Sequence, residues 1–224
     1  MLVLNSFFFL PSGAGYARLS EDPGDRGRDL ELRFSAFFQC DNKACNETAS
    51  VAGVGQEKEE EDPGSLPRYY EVFFPRFVSP SPHLFAIPAV TPAAITSLIE
   101  SAFVLSWGDY EACLNRVRMC LESILDEQRV NRFAIRKGER KPIILHERIG
   151  LANIKLPATK PYLMAVKHLG NAGSHRGGLV REDVFDALDL LEAIVTTLYG
   201  QQKKINQLAQ KIEKNKGPLK RIAK

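Results

Sequence analysis

The spacing of hydrophobic residues along the chain changes near residue 90. Before this point, apolar and aromatic residues alternate with polar ones in three short runs, ELRFSAFFQC, TASVAGVG and RYYEVFFPRFV. Alternation of this kind predicts two or three β-strands. After it, apolar residues recur at intervals of three and four, which is the spacing of amphipathic helices. The pattern therefore predicts a small β segment followed by a helical segment.

Capping residues mark the helix boundaries in the second segment. Thr91, an N-cap residue followed by proline, begins the first predicted helix. Asp109 can cap the second, whose broad apolar stripe is typical of a core helix of about five turns. A short helix is predicted to end near Ala152, and two longer helices are predicted to start at Thr159 and Arg181. The acids that follow Arg181 complement the helix dipole.

These elements predict a mainly α fold, in which a helical bundle follows a small N-terminal β appendage and precedes a basic C-terminal helix. Two charged runs, the acidic Glu57–Asp62 and the basic Arg136–Pro142, are interpreted as solvated loops. The expected divisions are an irregular N-terminus at 1–30, the β appendage with its acidic loop at 31–90, the bundle at 91–200, and the basic helix and tail at 201–224.

Composition favours a cytoplasmic protein without a membrane-spanning segment. The chain is 44% hydrophobic and 25% charged, so it can bury a core, and its apolar runs fall short of the roughly 20 residues that span a bilayer. Met1–Leu10 is apolar, but no Lys or Arg precedes it and Asn5 interrupts it. An irregular start is therefore favoured over a secretory signal.

Cys113 and Cys120, seven apart on one helix, are too distant for a disulfide and are predicted to be core residues.

The most informative segment is VKHLGNAGSH, which begins at Val166. If its helix continues through Gly170, then Lys167, Asn171 and His175 lie four residues apart on one face. A histidine can accept a proton from a ribose hydroxyl, and a cation, Lys167 or Arg176, can stabilise charge on phosphorus. The structural alternative stays open: Gly170 lets two helices touch, Asn171 bridges backbone groups, and His175 satisfies a buried acceptor.

Several segments in order resemble one protein family. They are YEACLNRVRMCLESILD, LHERIG, AVKHLGNAGSH and DVFDALDLLEAIVTTLY. This succession, from about Phe85 to Tyr199, resembles the bacterial domain-of-unknown-function family 4145, a branch of the HEPN superfamily. The best motif is Gly170-Asn171 followed by His175. The resemblance implies an HEPN-like antiparallel helical bundle, a homodimer, and a place among RNA-targeting toxins and proteins of bacterial defence or stress response.

The chain departs from the superfamily's ribonuclease motif, in which an arginine commonly stands directly before the asparagine. Gly170 occupies that position, and Lys167 lies eight residues before His175, one more than the motif's spacing. A lysine also lacks the planar fork with which arginine holds a phosphate. A non-catalytic HEPN-like module is therefore favoured over a metal-independent endoribonuclease that uses His175 as general base with Asn171, Lys167 or Arg176.

Cys40 and Cys45 resemble one knuckle of a zinc ribbon, a module that precedes the helices in many relatives of this family. A structural zinc normally has four protein ligands, and two are evident here. A degenerate ribbon, kept folded by its aromatic residues, is therefore favoured over an intact zinc site within one chain, and a zinc shared with a partner stays open. No other cofactor is expected.

The tail carries most of the chain's positive charge. Residues 201–224 hold eight Lys and Arg against one acid, Glu213. Such a segment can neutralise several phosphates of RNA or DNA, or remain solvated. The candidate contacts are Lys203, Lys204, Lys211 and Lys214. Three functions stay open: a nucleic-acid-associated interaction module, which is preferred; an endoribonuclease; and a structural partner of another protein, such as a defence-system component.

Overall fold

The computed structural model describes residues 2–11, 31–60, 68–152, 156–176, 178–200 and 210–216. The chain divides into two compact units, Met1–Pro82 and His83–Lys224.

The first unit is a four-stranded antiparallel sheet in the order β1-β2-β3-β4. Its strands are β1 Leu2–Pro11, β2 Glu31–Cys40, β3 Thr48–Glu60 and β4 Arg68–Ser79. Leu2–Pro11 pairs with β2, where the sequence predicts irregular chain, and the rest of that predicted segment, 12–30, lies outside the described residues.

The acidic run at 57–62 is part of the sheet over its first four residues. Glu57 pairs with Glu71 and Lys58 pairs with Tyr70, so β3 continues to Glu60 where a loop is predicted. The alternation of Thr48–Gly55 extends into charged residues because side chains at a strand end can reach solvent on either face. The remainder of the predicted loop, 61–67, lies outside the described residues.

The second unit contains five helices of eight residues or more among its described residues. They are α1 Ala93–Leu105, α2 Tyr110–Glu127, α3 Leu145–Ala152, α4 Lys160–Arg176 and α5 Arg181–Tyr199. Residues 210–215 are also helical. Helix α2 is central, since it packs against α1, α3, α4 and α5. None of the described helices is long and apolar enough to cross a membrane.

Local capping explains most of these boundaries. The Asp109 carboxylate accepts a hydrogen bond from the backbone N–H of Ala112 at 2.9 Å, as the N-cap prediction requires. At α5, the Asp183 carboxylate accepts from the backbone N–H of Val180 at 3.0 Å. Helix α1 begins one residue later than Thr91-Pro92 suggests, because Pro92 takes the N-cap position.

The hydrophobic core of the second unit is formed by the apolar faces of all five helices. Its largest fully buried side chains are Phe103, Ile95, Ile99, Leu121, Ile124, Leu125, Ile149, Leu163, Leu188, Leu191, Ile194 and Val117. These are the positions that recur at three and four in the sequence, so the helical part of the pattern is confirmed.

The basic run at 136–142 is a β-hairpin and not a loop. Strand β5, Phe133–Arg136, pairs antiparallel with β6, Glu139–Pro142. Lys137 and Gly138 form the two-residue turn with φ of 53° and 79°. Positive φ at both central positions is the geometry that joins two strands of the usual twist. The loop prediction is wrong because Lys-Gly is a turn signal that the surrounding charge obscures.

The predicted mainly α fold is wrong. The structure is about 48% helical and 26% strand, with two antiparallel sheets, so an HEPN-like bundle with a minor β appendage does not describe it. The difference has three sources: strand β1, the extension of β3 through its acidic end, and the hairpin between α2 and α3. In the acidic end of β3 and in the hairpin, backbone pairing overrides a charged composition that favours loops, whereas β1 is an apolar run that pairs with β2.

Candidate functional site

The candidate polar face lies on α4, which is continuous through Gly170. Lys167 and Asn171 are therefore one helical turn apart on the same side. Their side chains are half-buried. The backbones of His175 and Arg176 belong to the same helix, but their side chains lie outside the described residues.

An arginine from another helix reaches Asn171. The guanidinium of Arg118, on α2, donates a hydrogen bond from Nη1 to Asn171 Oδ1 at 3.5 Å. Arg118 also forms an ion pair with Glu122, one turn further along α2, at 3.5 Å. A cation thus stands beside Asn171, although the residue directly before it in the sequence is Gly170.

Lys167 meets a histidine from the short helix α3. Its Nζ lies 3.4 Å from Nδ1 of the exposed His146. Because an ammonium group has only hydrogens to offer, Nδ1 is the acceptor in this contact. The ring proton of a neutral His146 is consequently on Nε2.

Together His146, Lys167, Asn171 and Arg118 form a line across three helices, which we call the donor row. Arginine has no acceptor atom, so its contact fixes Oδ1 of Asn171 toward α2 and leaves the amide N–H groups for another partner. Lys167, Asn171 and Arg118 all present N–H groups, and so does His146 through Nε2. Such an arrangement suits an anion with several acceptor oxygens.

Gly170 sits inside this helix with no visible packing reason. A Cβ built on it would meet no atom of a neighbouring element within 4 Å among the described residues. Glycine costs a helix interior roughly 1 kcal/mol relative to alanine. Among the described residues, no neighbouring helix lies close enough to Gly170 to require a glycine there, and whether it allows closer helix packing stays open.

A buried ion pair holds α3, and with it His146, against α2. The Arg148 side chain is 6% exposed, and its Nη2 donates to Asp126 Oδ1 at 2.7 Å and to the carbonyl oxygen of Val130 at 3.1 Å. Hydrogen bonding from Arg132, supported by that from Arg148, lowers the pKa of Asp126. Asp126 thus stays ionised and neutralises the buried cation.

The opposite side of α4 has different chemistry. A groove of about 660 Å³ between α4 and α5 is lined by His168, Asp186 and Asp189 with apolar neighbours. Its two carboxylates repel phosphate, so an anionic ligand is expected on the donor row and not in this groove.

The predicted zinc knuckle is a turn closed by hydrogen bonds. Cys40 ends β2 and its N–H donates to the carbonyl oxygen of Glu47 at 2.8 Å, while the N–H of Cys45 donates to that of Asn42 at 2.9 Å. In the described part of the chain, no group of three or more His, Cys, Asp or Glu side chains could hold a metal ion. Two thiols do not complete a zinc site.

Cys113 and Cys120 are core residues, as predicted. Both are fully buried, and desolvation raises the pKa of each thiol to about 12. Both thiols are therefore expected to be poor nucleophiles near neutral pH.

The candidate tail contacts are only partly described. Lys203 and Lys204 lie outside the described residues, whereas Lys211 and Lys214 are exposed on the helical segment 210–215.

Sequence reasoning missed Arg118 and His146. Arg118 lies off the apolar stripe of α2, and His146 stands in a short helix, so the sequence marks each as a surface residue. Their relation to α4 depends on tertiary packing, for which no local signal exists.

A family model matches residues 100–215, more than half of the chain, and it describes a domain of unknown function, DUF4145. The chain belongs to the DUF4145 family. The match includes every residue of the donor row and the helices that carry them. No curated protein and no solved structure matches this DUF4145 chain.

Proposed function

We propose that this DUF4145 protein is a non-catalytic RNA-binding module, and that the donor row holds a phosphate of the RNA backbone. The observation that carries the proposal is the contact between Arg118 and Asn171. It supplies the arginine that the α4 motif lacks and leaves the asparagine N–H groups available as donors.

The choice of a phosphate follows from the chemistry of the row. Arg118 and Lys167 bring two positive charges, and Glu122 offsets part of the first through its ion pair. Charge-assisted hydrogen bonds from arginine and lysine are the usual contacts to nucleic-acid backbones. The choice of RNA is supported by the resemblance to HEPN proteins, many of which target RNA, and membership of that superfamily is part of the proposal.

The non-catalytic interpretation rests on what the row lacks. Cleavage of RNA at a ribose 2′-hydroxyl requires a group that can accept its proton. His146 has its Nδ1 directed at Lys167, and Glu122 is paired with Arg118. Among the described side chains of the row and its contacts, none is a base poised for this step.

The experiment measures binding and cleavage of the full chain with a fluorescent single-stranded RNA in EDTA. The double variant Arg118→Gln/Lys167→Gln is expected to lose affinity, while Arg116→Gln and Lys160→Gln, on the same two helices, retain it. Equal affinity of all variants contradicts the proposal. RNA cleavage that is lost in His175→Ala and kept in Lys160→Gln would replace it with the endoribonuclease hypothesis.

The proposal also includes a homodimer in a bacterial defence or stress setting. Two copies could place their donor rows along one RNA strand, which would raise affinity without new contacts. Sedimentation equilibrium tests this part separately: a monomer at micromolar concentration removes the dimer and leaves the phosphate contact intact.

A further inference from the structure

The four-stranded sheet exposes an unusual aromatic face. On one side of β2–β4, the apolar residues Leu32, Phe34, Ala36, Ala49, Val51 and Val78 are buried. The other side carries Phe37, Phe74 and Phe77, which are 49%, 38% and 53% exposed. We call these three residues the aromatic surface. Exposed rings on a common sheet face mark a binding surface more often than isolated surface residues do.

Strand register places small residues between the rings. Phe77 pairs with Ala52, which pairs with Ser35, and Phe74 pairs with Val54 of the same central strand. Strands β2 and β4 lie two sheet spacings apart, roughly 10 Å. Phe37 on β2 and the two rings on β4 therefore flank a shallow trough floored by β3.

Two cations lie on the same face as the rings. Arg33 pairs with Val54, so it shares a cross-strand row with Phe74, and Lys58 lies four residues beyond Val54 on β3, with Glu60 next on the same face. Glu57 and Glu71 form a pair that alternation places on the opposite face. The face thus combines stacking rings with cations, which is the composition of surfaces that hold single-stranded nucleic acid.

We propose that the aromatic surface binds a single-stranded polynucleotide, with bases stacked on Phe74, Phe77 and Phe37 and the backbone passing Arg33 and Lys58. The residues of this surface belong to the first unit, whereas those of the donor row belong to the second. A flat base fits the trough between the rings, and the two cations match the charge of the backbone. A protein partner would be held chiefly by apolar contact and would not require the cations.

The test uses the full chain and photoreactive oligonucleotides of about 12 residues, one of uridine and one of deoxythymidine. The double variant Phe74→Leu/Phe77→Leu keeps apolar side chains but removes two stacking rings. Its affinity is expected to fall by at least about fivefold for each ring removed. The matched control is Tyr69→Leu, because Tyr69 lies on the opposite face of β4 and is 53% exposed, like Phe77.

Photo-crosslinking separates this site from the donor row. The proposal expects crosslinks on tryptic peptides that contain Phe74 or Phe77, and these crosslinks persist in Arg118→Gln/Lys167→Gln. Preference for one oligonucleotide then identifies RNA or DNA as the source. Crosslinks confined to residues 116–171 overturn this proposal and leave the proposed function standing. Unchanged affinity in Phe74→Leu/Phe77→Leu also overturns it, as does a variant that changes only self-association, which would make the surface a protein interface.

Discussion

Arg118 on α2 and Asn171 on α4 are 53 residues apart in the chain, and their side chains meet at 3.5 Å. The contact gives Asn171 an orientation that its own helix does not impose. With Oδ1 accepting from the guanidinium, the amide hydrogens of Asn171 are left as donors, as are those of Lys167 that do not meet His146. The orientation of the Asn171 side chain on α4 therefore depends on Arg118 of α2.

Gly170 provides a test of whether the space beside Asn171 serves a ligand. Because a Cβ at this position meets nothing among the described residues, Gly170→Ala is expected to stabilise the fold by up to about 1 kcal/mol while weakening RNA binding. Urea unfolding and RNA titration measure the two effects. Gly150→Ala in α3, where a Cβ is equally unobstructed, is the comparison for stability. A loss of stability in Gly170→Ala alone would show that the glycine is needed for packing.

The ion pair between Arg148 of α3 and Asp126 of α2 is expected to contribute strongly to stability. Asp126→Ala leaves the buried Arg148 without its counter-charge and should cost about 3 kcal/mol in the free energy of unfolding. Arg132→Ala removes an exposed partner of the same carboxylate and should cost less than about 1 kcal/mol. Urea denaturation of both variants checks the order. Equal losses would mean that Arg148 is not held by Asp126.

The lowered pKa of Asp126 predicts how the free energy of unfolding changes in acid. The folded-state pKa of Asp126 is lowered from 3.8, so its contribution is fully present above the unfolded value and is lost as the pH falls through the lower folded value. Stability should therefore decline below about pH 3.8 less steeply in Asp126→Asn than in the unaltered chain. Thermal unfolding at a series of acidic pH values measures the difference. The same decline of stability with falling pH in both proteins would contradict this prediction.

Thiol labelling distinguishes the two cysteine pairs. Cys113 and Cys120 are fully buried with a pKa of about 12, so they should resist alkylation at pH 8 until the protein unfolds. Cys45 is exposed and Cys40 is partly exposed, so both should react in the native state. Mass spectrometry counts the labels. The labelling rate of Cys40 and Cys45 should be the same with and without EDTA, and protection that EDTA removes would reveal a bound metal.

The parts of this structure that follow from sequence are those set by near neighbours. The apolar period of α2 and α5, and the cap at Asp109, are local properties, and the structure has them as predicted. Strand β1 and the charged end of β3 were not predictable in this way, because each is extended by hydrogen bonds to a distant strand. The Lys137-Gly138 turn is a local signal that net charge concealed.

The candidate site, too, could be predicted only where it depends on local sequence. The sequence identifies Lys167 and Asn171 by their helical spacing, but Arg118 and His146 reach them through packing of α2 and α3 on α4. The four polar residues of the donor row come together only through the packing of the three helices. The aromatic surface likewise depends on strand register, which places Phe74 and Phe77 across the small residues of β3.

The salt dependence of RNA binding tests the central claim most directly. Removing one cation that neutralises a phosphate should reduce the slope of log affinity against log salt concentration by about 0.7 to 1. The measurement compares Arg118→Gln with Arg116→Gln, its neighbour on the same helix. We expect the slope to fall in Arg118→Gln and to remain unchanged in Arg116→Gln. An equal slope in both variants and the unaltered chain would contradict the assignment of the donor row as a phosphate site.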